Sequence, residues 1–214
     1  MRWVFVLLPV MALLGACSEG TRVPARASQQ FALRPEALQC LSQLGATKAS
    51  FTPLPDRYFG AGCATLNTVR LASLRGDEGV LGITNLGPVT CPLASTFAAW
   101  ARFGVDRAAR QILGSELVRI ETMGSFSCRN IAGSDRLSAH ANANAIDVSG
   151  FVLADGRRIT VVAEWNGGSW AEREFLRVIY ISACKRFGTV LGPAYNAAHA
   201  NHLHLERSDS AFCR

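Results

Sequence analysis

All four histidines of this 214-residue chain fall in two short stretches. The first runs Arg136-Leu137-Ser138-Ala139-His140-Ala141-Asn142-Ala143-Asn144-Ala145-Ile146-Asp147. The second is His199-Ala200-Asn201-His202-Leu203-His204-Leu205-Glu206. Each lies beside a strand-like apolar run, so the fold must bring two distant strands together for these residues to act as one group. The chemistry that needs such a group is metal binding. A catalytic zinc takes three ligands from His, Cys, Asp or Glu and keeps a position for water. His140 and Asp147 offer a nitrogen and an oxygen, and the spacer between them lets the chain turn back. In His202-Leu203-His204, alternation along a strand sets both imidazoles on one face. One imidazole can then bind the metal while the other reaches the water or a substrate. Either histidine alone would be read as a satisfied structural residue; clustering and order favour the metal site.

The cysteines set the compartment. Cys40, Cys63, Cys91, Cys128, Cys184 and Cys213 are widely spaced and form no CxxC pair. Behind an export signal, six such cysteines read as three disulfides in an oxidising environment, although they allow about 15 pairings. The export signal is the segment 1–16. Arg2 precedes the apolar run Trp3 to Leu14, too short to span a bilayer. Leu14-Gly15-Ala16-Cys17 then resembles the lipobox of bacterial lipoproteins, with Cys17 as the lipidated residue. The other reading is ordinary cleavage, which leaves Cys17 an odd free thiol. Acyl chains would anchor the chain at a membrane surface, each buried methylene contributing about 0.8 kcal/mol. Ser18, rather than Asp, follows Cys17; by resemblance to Gram-negative lipoproteins this points to the outer membrane, facing the periplasm. Residues 17–33 read as a flexible tether and 34–214 as one globular domain. The net charge of +6 comes from scattered Arg with two Lys and no basic run. That suits an anionic envelope polymer and argues against nucleic acid.

Along the domain, residues 34–44 read as a helix opened by Pro35 and stopped by Gly45. Short strands fill 48–90, among them Thr68 to Leu74. A helix opens at Pro92 and runs to about Phe103, burying Leu93, Phe97 and Trp100, and a second covers 106–113. Leu117 to Met123 is a strand leading into the loop Gly124 to Arg129. Ala145 to Leu153 is a strand carrying Asp147. Asp155-Gly156 turns it into a return strand, 158–163. Ser169 and Glu172 form a capping box. The helix behind them buries Phe175, Leu176, Ile179, Ala183 and Phe187. Trp165 and Trp170 read as core packing or a lid, with a sugar-binding cleft as the sharper alternative.

Ser138-Ala139-His140, six residues, Asp147 and a distant His202-Leu203-His204 resemble the zinc signature of the D-Ala-D-Ala peptidase/lysostaphin-like metallopeptidase superfamily. More closely, residues from about 36 to 214 resemble the bacterial extensin-like C-terminal domain family. The matching stretches are Cys91-Pro92, Gly-Ser-Phe-Ser-Cys-Arg at 124–129, Arg-Leu-Ser-Ala-His at 136–140, Ala-Asn-Ala-Ile-Asp at 143–147 and Leu-Gly-Pro-Ala-Tyr-Asn at 191–196. The resemblance implies an α+β domain, with helices packed on a small antiparallel sheet, Hedgehog/DD-peptidase-like. It implies one zinc per chain on His140, Asp147 and His204. Arg129 stands where relatives place a substrate-facing cation, although a structural or surface ion pair is the other reading. The implied function is a zinc-dependent hydrolase of peptidoglycan peptides, an endopeptidase or DD-/LD-carboxypeptidase, expected as a monomer. With order along the chain, the resemblance suggests the pairings Cys40–Cys63, Cys91–Cys128 and Cys184–Cys213. Asn201 departs from the pattern: relatives carry an acid there as general base, and an amide cannot take a proton. Either His202 is the base, or the site binds zinc and substrate without turnover. His199 reads as a loop or outer residue, and Ser138 as a hydrogen bonder rather than a nucleophile.

Overall fold

The structure, a computed structural model, describes Met1 and residues 34–214. The signal segment, Cys17 and the tether to residue 33 lie outside the described residues. Helix α1 (Pro35–Ala46) opens on Pro35, whose missing N–H costs nothing in a first turn. Short strands follow: β1 (Ser50–Pro53), β2 (Arg57–Gly60), β3 (Cys63–Thr65), β4 (Thr68–Arg75), β5 (Val80–Thr84) and β6 (Val89–Thr90). Helix α2 (Cys91–Trp100) continues as π-helical turns over Ala101–Asp106 and Ala109–Leu113, where two separate helices were expected. Gly114, in the left-handed region at φ 68°, stops the rod. Then come β7 (Leu117–Gly124), a 3₁₀ turn at Ala139–Asn142, β8 (Ala145–Leu153) and β9 (Arg158–Thr160). Helices α3 (Val161–Gly167) and α4 (Trp170–Cys184), β10 (Thr189–Leu191), β11 (Leu203–Glu206) and β12 (Phe212–Cys213) complete the chain.

The α+β class stands, but the sheet is not small. Among the described residues it has ten strands, in the order β1-β4-β5-β7-β8-β11-β10-β12, with β6 beside β4 and β9 beside β8. Pairing is mainly antiparallel, with β5–β7 and β10–β12 parallel. The β5–β7 pair needs a crossover, and the α2 rod supplies it. Strands as short as β6 and β12 carry too little alternation to be seen before folding, whereas Val190 and Leu191, which read as the start of a short strand, do lie in β10. Beyond Thr160 the return strand gives way to α3. Thr160 Oγ1 accepts the Ala163 N–H, and Glu164 accepts from the Thr160 N–H and hydroxyl, so a cap wins over the β-propensity of Val161-Val162.

The core lies between the helices and one face of the sheet. Phe97, Trp100, Phe151 and Phe175 are fully buried there. Phe151 of β8 meets Trp100 of α2 edge-on at 6.3 Å and Phe175 of α4 at 5.4 Å. The Trp100 indole N–H donates to the Ile179 carbonyl at 3.0 Å, which locks α2 to α4. Within β8 the register against β7 slips: Thr122 faces Val148 while Glu121 faces Gly150. Ser149 is the extra residue of this bulge. It lets Ile146 and Val148, then Phe151 and Leu153, all enter the same core.

Three disulfides staple the domain, and two of the expected pairings are corrected. The bonds are Cys40–Cys91, Cys63–Cys128 and Cys184–Cys213. Neighbours in sequence are not the partners for the first four cysteines. Cys40 sits on the buried face of α1, which packs on α2, and so meets Cys91. Cys63 lies in the separate β2–β3 hairpin, which docks on the loop after β7 and so meets Cys128.

Candidate metal centre

Register delivers two of the ligands. In the β8–β11 pair, His204 lies directly opposite Asp147, Leu203 opposite Val148 and Leu205 opposite Ile146. The four apolar residues face the core, so alternation sends Asp147 and His204 to the other face. His140 arrives on the 3₁₀ turn. Ser138 Oγ caps that turn by accepting the His140 N–H at 3.4 Å. Ala143, at φ 53°, reverses the chain so that six residues bring it back to Asp147. Asn144 anchors the return, accepting from Thr90 Oγ1 and donating to the Arg207 carbonyl.

The three groups converge. His140 Nε2 lies 3.2 Å from His204 Nδ1 and 3.2 Å from Asp147 Oδ2, and His204 Nδ1 lies 2.9 Å from Asp147 Oδ1. Bonds of about 2.0–2.1 Å at tetrahedral angles put ligand atoms roughly 3.3 Å apart. The donor triangle therefore fits one small divalent cation, and His140, Asp147 and His204 could hold it. The outer nitrogens agree. His140 Nδ1 lies 3.2 Å from the Ser125 carbonyl, an acceptor only, so it carries the proton and Nε2 is bare. His204 Nε2 lies 3.5 Å from Glu206 Oε2. Acceptors behind the ligand histidines are the usual support of a metal site.

Charge follows from this crowding. Burial would raise Asp147, but the hydrogen bonds and charges of the histidines hold it well below the usual carboxylate range. Burial would lower His204, yet Asp147 and Glu206 raise it to about 9 in the metal-free protein. A proton thus stands in for the cation.

His202 lies one residue ahead of β11, with Nε2 3.5 Å from Asp147 Oδ1. Its Nδ1–H donates to Asn201 Oδ1 at 2.8 Å, which leaves Nε2 with a lone pair facing the centre. Burial, then the charges of His204, His140 and Arg129, lower its pKa against the pull of Asp147. His199 is lowered to about 4, by burial first and then by the charges of His202 and His204. Its ring lies 5.1 Å from that of His202 and meets Tyr195 at 5.5 Å. Arg129 is exposed and acts electrostatically on both His199 and His202. Among the described residues no acidic side chain pairs with it, and its guanidinium donates to the Asn130 carbonyl at 3.4 Å. Trp165 packs edge-on against Tyr180, while Trp170 is exposed. Sequence reasoning missed Ser125, Tyr195 and Glu206. Ser125 and Tyr195 lie in stretches that carry the family resemblance, and Glu206 stands two residues past His204 on one strand and hence on its face.

These features define a class: a disulfide-stapled α+β domain with a buried His/Asp centre able to hold a metal ion on the face of its sheet turned from the helical core. Residues 38–214 match the family described as Extensin-like protein C-terminus, and the chain belongs to that family. Neither the curated proteins nor the solved structures include a match to the chain.

Proposed function

We propose that this protein is a zinc-dependent hydrolase of the cell envelope that cleaves peptide bonds in peptidoglycan. The observation that carries the reading is the donor triangle of His140, Asp147 and His204, with a further imidazole turned toward it. Zinc bound there would supply an activated water and a polarised carbonyl. His202 Nε2, uncharged at neutral pH, is placed to accept a proton. Arg129, without an acidic partner among the described residues, is free to stabilise developing negative charge on a substrate oxygen. The substrate class rests on the resemblance to D-Ala-D-Ala peptidases and lysostaphin-like enzymes. A lipid on Cys17 would hold the domain at the outer membrane, facing the periplasm and its peptidoglycan.

Purified protein is expected to contain about one zinc per chain, as three such ligands would bind it. Mass spectrometry of digested peptidoglycan should show new peptide termini. His202→Gln should keep the zinc and lose the cleavage by about 10²–10⁴-fold. Unchanged fragments at saturating zinc would remove the catalytic half of the reading.

One residue favours a second reading, a non-catalytic peptidoglycan-binding lipoprotein. Asn201, which is exposed, stands where the resemblance expects an acid. Asn201→Asp separates the two: a large gain in hydrolysis identifies a degraded enzyme. No gain leaves Asn201 as the partner that orients His202.

A further inference from the structure

Each histidine of the centre has a single proton when neutral, and its position decides which nitrogen can bind a cation. For His140 the choice is made by backbone, since the Ser125 carbonyl accepts from Nδ1. For His204 two carboxylates compete. Asp147 Oδ1 lies 2.9 Å from Nδ1, on the inner side, and Glu206 Oε2 lies 3.5 Å from Nε2, on the outer side. If Asp147 took the proton, Nδ1 would point a hydrogen at His140 Nε2 and Asp147, and the donor triangle would lose a corner.

We propose that Glu206 is a positioning residue of the metal centre, holding the His204 proton on Nε2 so that Nδ1 is presented as a ligand. This rests on reading the cluster as a metal site. Three observations support it. Glu206 is the last residue of β11, and alternation puts it on the His204 face. Its register partners, Ala145 on β8 and Thr189 on β10, offer its side chain no positive charge. Among the described residues its one ion-pair partner is His204, although its side chain is only 26% exposed. Among the described residues the His204 imidazole is the charged group within ion-pair reach of this half-buried carboxylate. At 3.5 Å the contact is an ion pair somewhat longer than an ordinary hydrogen bond, and Glu206 does not reach the donor triangle itself.

The test is zinc affinity, measured by competition with a chromophoric chelator on the full domain with its disulfides intact. Glu206→Leu should bind zinc about 10–100-fold more weakly than the wild type, the range for loss of an outer partner of a ligand histidine. Glu206→Gln keeps an oxygen that accepts the N–H and should stay close to the wild type. In the zinc-loaded wild type and E206Q, the His204 Nε2–H should give a slowly exchanging proton resonance that E206L loses, a signal that a merely structural role would not move. If E206L does not fold, Glu206→Asp, which withdraws the carboxylate by one methylene, should show the same weakening. Wild-type affinity and resonance in the leucine variant, or in the aspartate variant if that one replaces it, would overturn the assignment. A wild-type protein that takes up no zinc would overturn the metal-site reading itself, and the assignment with it.

Discussion

The proton that His204 holds in the metal-free protein is the competitor of the metal. Its folded-state pKa stands at about 9 against an ordinary 6.5, because the attraction of Asp147 and Glu206 exceeds the penalty of burial. A raised histidine contributes stability that is full below its unfolded value and lost as pH rises through the folded one. Metal-free protein should therefore melt at a higher temperature near pH 6.5 than above pH 9, as read by thermal denaturation in chelator. Zinc has to displace the same proton, so its affinity should climb across that interval. At neutral pH each zinc bound should release about one proton, measurable by calorimetry in buffers of different ionisation enthalpy. His204→Ala removes the corner outright and should abolish stoichiometric zinc.

Local chemistry announces most elements and fails where two local preferences conflict. Pro35, the capping box of Ser169 and Glu172, and Gly114 mark their helices because each acts within a few residues. Thr160 is the instructive case. Its neighbours Val161 and Val162 read as strand, but its hydroxyl and Glu164 close a cap, and the chain turns helical. Thr160→Ala should cost about 0.5–2 kcal/mol in denaturant unfolding, the range for a lost N-cap. A cost near zero would mean that packing alone sets this boundary. The π-helical turns after α2 have no marker at their start; only their end is marked, by Gly114.

At the scale of the molecule the disulfides divide into two jobs. Cys40–Cys91 ties α1 to α2, and neither cysteine is bonded to a ligand residue of the metal centre. Cys63–Cys128 ties the β2–β3 hairpin to the loop that clasps His140 through Ser125 O and the Ser127 N–H. Phe59 on Phe126, with ring centroids 4.9 Å apart, reinforces the same junction. Replacing Cys40 and Cys91 by serine should cost about 2–5 kcal/mol of stability and leave zinc affinity unchanged. Replacing Cys63 and Cys128 should weaken zinc binding as well, because the loop that aims His140 loses its brace. Equal zinc affinity in both double variants would show that the hairpin is a passenger.

The amino-acid order alone determined which residues are able to hold a metal, since ligand chemistry belongs to side chains and both halves of the motif are local. It also marked most helix ends, through periodicity and capping, while the α+β class followed from the resemblance to the family. Tertiary structure decided the rest: which cysteine meets which, how short strands join a ten-stranded sheet, and that Glu206 and Asn201 stand behind the histidines. Each of these depends on register or docking between segments far apart in the chain. No residue type encodes that distance; only the packed core, which brings Asp147 opposite His204, does.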